Sequence, residues 1–123
     1  MMRAVIKGIS NDVFDVETCC PESVDNFSLS LRIRIGLDCT QGADDFELFI
    51  CTPKWLEETV WEARWGRGLL IIRKYDFSTI NGLIHDYVSS CEGDSWESIV
   101  LQLGKVFSLE FDDYQTYSIG IFI

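Results

Sequence analysis

The chain has 123 residues, 47% of them hydrophobic, and sets twenty acidic side chains against ten basic ones and a single histidine, for a formal charge of −10. Such a charge repels a phosphate backbone, whose binding depends on Lys and Arg displacing condensed counterions, so direct nucleic-acid binding is not expected. No stretch approaches the ~20 apolar residues of a membrane span, and Arg3 and Lys7 interrupt Met1 to Ile9 where a leader would be apolar, so one cytoplasmic domain over residues 1–123 is expected.

Arg3 to Ile9 reads as a first strand, followed by a polar loop from Ser10 to Asn26 that contains Pro21 and five acidic residues. In Phe27 to Leu37 apolar and polar positions alternate strictly, the period of a strand with one buried face. After a turn-rich connection with Gly42, Phe46, Leu48 and Ile50 repeat that period, which predicts an antiparallel hairpin. Thr52 then has the chemistry of a helix N-cap with Pro53 at the first helical position, and a helix is predicted to about Ala63. Gly66 and Gly68 end it. Leu69 to Tyr75 reads as a strand, apolar on both faces at its start as expected near the middle of a sheet.

Asp76 caps the next predicted helix, in which Phe77, Ile80, Leu83, Ile84, Tyr87, Val88 and Cys91 keep a spacing of three and four. Gly93 breaks it. Asp94 and Glu97 have the spacing of a capping box ahead of a short helix through Trp96, Ile99, Val100 and Leu103, ending at Gly104. Phe107 to Asp112 and Tyr117 to Ile123 alternate again as strands. The order predicts an α+β fold: a single-layer, mostly antiparallel sheet of five or six strands with two to three helices packed on one face.

Eight carboxylates follow Tyr75 (Asp76, Asp86, Glu92, Asp94, Glu97, Glu110, Asp112, Asp113), where the only basic residue is Lys105. Once Asp76 and Asp94 are assigned to helix starts, Glu92, Glu97, Glu110, Asp112 and Asp113 remain free to meet a cationic partner, joined by Asp44, Asp45 and Glu47 at the end of the hairpin. Taken singly, any one of them is better explained by a solvated face; the case for a partner rests on the group. Trp61 and Trp65, four residues apart, would share a helix face and offer an interface anchor, whereas Trp55 and Trp96 lie where a helix start meets a core.

Signals for catalysis are weak. His85, Asp86 and Tyr87 are adjacent in sequence but diverge by about 100° per residue on a helix, which gives no shared site. The five cysteines (Cys19, Cys20, Cys39, Cys51, Cys91) include no Cys-x-x-Cys pair and read as reduced thiols. Cys51, Cys91 and His85 lack the spacing of a metal site, and Asp15, Glu17 and Glu22 would raise the thiol pKa of Cys19 and Cys20. No catalytic residue, metal or cofactor is assigned.

Four stretches together resemble the immunity protein 8 family: Met2-Arg3-Ala4-Val5-Ile6-Lys7-Gly8-Ile9, Cys51-Thr52-Pro53-Lys54-Trp55-Leu56, Cys91-Glu92-Gly93-Asp94-Ser95-Trp96 and Phe111-Asp112-Asp113-Tyr114. The resemblance covers nearly the whole chain. It implies a small bacterial immunity protein, encoded beside a polymorphic toxin such as those of contact-dependent growth inhibition, that binds and neutralises the cognate toxin domain. The apolar tail from Tyr117 to Ile123 departs from the family pattern and would add an edge strand or a homodimer contact.

The resulting expectation is a cytoplasmic antitoxin that associates, without catalysis, with the C-terminal domain of a toxin, expected to be a basic nuclease whose phosphate-binding cleft the carboxylates would fill. An acidic nucleic-acid mimic acting on another basic protein is the first alternative. A small enzyme using His85 is the second.

Overall fold

The computed structural model describes residues 1–13, 15–16 and 20–109. Strand β1 (Met2–Ser10) is followed by β2 (Ser28–Leu37) and β3 (Asp44–Cys51), and then by helix α1 (Pro53–Thr59) and strand β4 (Leu69–Ile71). Helix α2 (Phe77–Ser90), the two-residue strand β5 (Glu92–Gly93), helix α3 (Trp96–Leu103) and strand β6 (Ser108–Leu109) complete the described elements. The sheet runs β4-β3-β2-β1-β5, with β6 paired to β3 off this path, and only the β3–β4 pair is parallel. This is the expected α+β arrangement, mixed in direction and mostly antiparallel.

Alternation in β2 and β3 sends Leu29, Leu31, Ile33, Ile35, Phe46, Leu48 and Ile50 into one face, all of them buried. Ile80, Ile84 and Val88 of α2 and Ile99 and Leu103 of α3 cover that face, and Phe107 fills the space between them with edge contacts to Phe46 and Tyr87. The predicted apolar stripes therefore form the core, except that Leu83 of α2 is 50% exposed. β1 reaches the same face through a bulge: Ile6 lies opposite Ile35 and Ile9 opposite Ile33, with Lys7 as the extra residue between them. Ile6 and Ile9 are three residues apart, so a regular ladder that kept Lys7 in register would turn Ile9 outward.

Four boundaries differ from the sequence reading. α1 ends at Thr59, because Val60 is extended and no side chain of the helix is buried, so packing does not extend it to Ala63. β4 stops at Ile71 and terminates the strand order, since Tyr75 turns away to stack on Phe27 and donate its hydroxyl to the Val16 carbonyl. α2 ends at Ser90, before Gly93, and Glu92 and Gly93 form β5 against Arg3 and Met2. Finally, Ser95 caps α3 by accepting from the Ser98 amide at 3.2 Å, which displaces Asp94 from that role. The expected strand from Tyr117 to Ile123 lies outside the described residues, as does the second half of the strand expected from Phe107 to Asp112.

Candidate functional site

The two acidic groups of the sequence meet at one end of the sheet, but not as grouped there. Asp44 opens β3 with the same parity as Phe46 and Leu48, so its side chain reaches toward α3, where its Oδ2 accepts the indole N–H of Trp96 at 2.9 Å. Trp96 begins α3, and Glu97 stands exposed in the first turn, where the helix dipole favours negative charge. On the preceding β5, Glu92 is exposed and pairs with Arg3 at 3.5 Å across the strand. Both partners are well solvated, so the pair is worth about 0–1 kcal/mol and leaves the local charge accessible. Asp94, exposed and free of the capping role, adds to this end.

Strand alternation removes Asp45 and Glu47 from that group. They point to the sheet face away from the core, where Asp45 lies directly across from Arg34 and Glu47 across from Arg32. Arg32 is also held by Asp12 through contacts of 3.2 and 3.5 Å. These two carboxylates thus face cations of their own chain, and the acidic end comprises Asp44, Glu92, Asp94 and Glu97 among the described residues. Glu110, Asp112 and Asp113 lie outside them.

Beside Asp44 is a depression of about 290 Å³ lined by Gly36, Leu37, Thr40, Gly42, Ala43 and Trp96. Among the described residues Asp44 is the only ionisable group in its wall, and it already accepts from Trp96.

Trp61 and Trp65 do not share a helix face. They lie in the segment 60–68 between α1 and β4, 86% and 96% exposed. Trp55, by contrast, packs on Phe49 with ring centroids 5.5 Å apart. His85 is exposed on α2, and among the described residues no three His, Cys, Asp or Glu side chains are placed to hold a metal ion. Burial pushes the thiols of Cys51 and Cys91 above their ordinary value, and burial followed by the neighbouring Cys91 does the same for the Tyr87 hydroxyl. Protonated, buried thiols are poor nucleophiles, while Cys20 and Cys39 are free and exposed.

What sequence reasoning missed is long-range: the β1–β5 pairing, the Trp96–Asp44 bond and the arginines opposite Asp45 and Glu47. The first joins two of the stretches that carry the family resemblance. Met2–Arg3 pairs with Gly93–Glu92, and the Thr52 hydroxyl in the second stretch accepts from the Trp55 amide as cap of α1.

No helix among the described residues is long and apolar enough to cross a membrane. No curated protein and no solved structure matches the chain. The profile of a known family, Immunity protein 8, matches residues 4–114. That span takes in every described element apart from the first two residues of β1, the acidic end included, and the chain belongs to the Immunity protein 8 family, as an immunity protein against a polymorphic toxin.

Proposed function

We propose that this protein neutralises the C-terminal domain of its cognate toxin by non-catalytic association, and that the toxin is a basic nuclease whose phosphate-binding cleft receives the acidic end. The observation that carries the reading is the convergence of Asp44, Glu92, Asp94 and Glu97 at one end of the sheet, anchored by the Trp96–Asp44 bond and opposed there by Arg3. Carboxylates held on a strand and at a helix start lose little freedom on binding, and in a cleft built for phosphates they would form charge-assisted hydrogen bonds with Lys and Arg. Cytoplasmic action follows from a toxin that acts on nucleic acid inside the cell.

Asp45 and Glu47 are secondary in this proposal because Arg34 and Arg32 face them, and Glu110, Asp112 and Asp113 extend the anionic set as sequence neighbours of β6. Co-expression with the toxin domain encoded beside the chain tests the reading. Growth rescue and a one-to-one complex are expected, with the triple variant D44N/E92Q/E97Q slowing association about tenfold or more at low salt. Failure of the wild-type chain to rescue or to co-purify would sink it.

A further inference from the structure

The acidic end leaves the exposed tryptophans unexplained. Residues 61 to 67 are all exposed, no helix or strand holds them, and both indoles stand in water. Two large apolar rings four residues apart, exposed together, mark an interaction surface more strongly than scattered single residues do. The neighbourhood also has the opposite charge to the rest of the molecule. Arg64, Arg67, Arg73 and Lys74 are four of the ten basic residues, all exposed, and Glu62 is the only acidic residue between Val60 and Tyr75. They bracket β4, where Ile71 is 52% exposed and Leu69 half-buried.

Indoles flanked by cations also suit nucleic acid or an anionic bilayer, but a molecule of charge −10 is repelled by both at long range. A protein partner with a locally acidic patch on an otherwise basic surface avoids that penalty, because contacts inside a Debye length of about 8–10 Å act locally. We propose that the 60–67 arm, with the adjoining β4 edge, is a second anchor for the toxin, and that it receives a toxin surface in which carboxylates ring an apolar cleft. This rests on the reading that the chain binds the toxin through its acidic end.

The two anchors suit one interface. The arm joins the sheet at β4 and Glu92 lies on β5, the opposite ends of the strand order, which at roughly 4.8 Å per strand is on the order of 20 Å. An interface of about 800 Å² per partner is roughly 30 Å across, enough to cover both. Poles of opposite sign then permit one docking orientation and oppose its reverse.

The toxin domain encoded beside the chain is the probe. W61A/W65A is expected to raise Kd about 100-fold, mostly through faster dissociation and equally at low and high ionic strength, whereas W61F/W65F stays within about tenfold of wild type. R64E is expected to weaken binding about fivefold at low salt only, and the melting temperature of W61A/W65A to stay within about 2 °C of wild type, since the rings bury nothing in the free protein. Complex formation should shift tryptophan emission to the blue and reduce acrylamide quenching. Toxin binding by wild type and W61A/W65A within twofold of each other overturns the anchor alone, while no binding by wild type overturns the functional reading beneath it. Tryptophan-dependent binding to phosphatidylglycerol vesicles, with toxin affinity unchanged, would overturn the proposal in favour of a membrane surface.

Discussion

Among the described residues Thr52 is the one polar residue with a fully buried side chain, and its environment explains why. Its hydroxyl accepts from the Trp55 amide at 3.3 Å as cap of α1 and from the Phe27 amide at 3.2 Å, and its own amide donates to the Phe27 carbonyl. One side chain thus ends β3, starts α1 and ties both to the entrance of β2. Thr52→Val keeps the shape and orphans two buried amides, so it should cost on the order of 2–4 kcal/mol in urea unfolding, while Thr52→Ser should cost less than about half of that. The role of Thr52 as a cap was legible from Thr-Pro at a strand end. Its second bond was not, because it depends on where residue 27 folds. The shift from Asp94 to Ser95 shows the same limit, since both are good caps and only the path of the chain after β5 selects between them. The thiols separate as their surroundings dictate: Cys20 and Cys39 should label rapidly with an iodoacetamide probe, and Cys51 and Cys91 only on unfolding.

At the level of elements, legibility followed burial. β2, β3, α2 and α3 bury one face each, and their periods of two and of three-to-four disclosed them. No residue of α1 is fully buried, and among the described residues β4 pairs on one side for only three residues, so their limits are set by tertiary contacts that no local pattern encodes. The same cause misplaced Trp61 and Trp65 on a helix and kept β5, too short to show a period, out of the predicted sheet. The bulge in β1 makes a sharp test. Deleting Lys7 leaves Ile6 and Ile9 two residues apart in a regular ladder, both still facing the core, so the loss in thermal or urea unfolding should stay below about 1 kcal/mol. Replacing Lys7 by Ala keeps the bulge and should change stability by less than about 0.5 kcal/mol.

Across the whole molecule, charge was countable from sequence but its geometry was not. Asp44, Asp45 and Glu47 looked like one cluster until alternation sent them to opposite faces, and only the β1–β5 register brought Glu92 to the same end as Asp44. Stability should have an alkaline limit. The native thiols of Cys51 and Cys91 are raised by burial above their ordinary 9.0, so below about pH 9 both folded and unfolded chains hold these protons and the contribution is fully present. As pH rises, the unfolded chain ionises first and that contribution is lost through the raised native values, with the Tyr87 hydroxyl adding to the loss above its ordinary 10.0. Melting temperature measured from pH 7 to 11 should therefore fall once pH passes about 9, and Cys91→Ser should shift that fall.

The pairing of Met2 with Gly93 also sets a clock. β1 is synthesised first, yet its outer neighbour β5 does not exist until some ninety residues later, and at about 5–20 residues per second that interval is roughly 5–18 s. Until then the Arg3–Glu92 contact and the seat of α3 against the start of β3 cannot form, so a nascent chain has no acidic end to offer. With the acidic end as the toxin-binding surface proposed above, protection would require finished molecules, and chains still on the ribosome would add none.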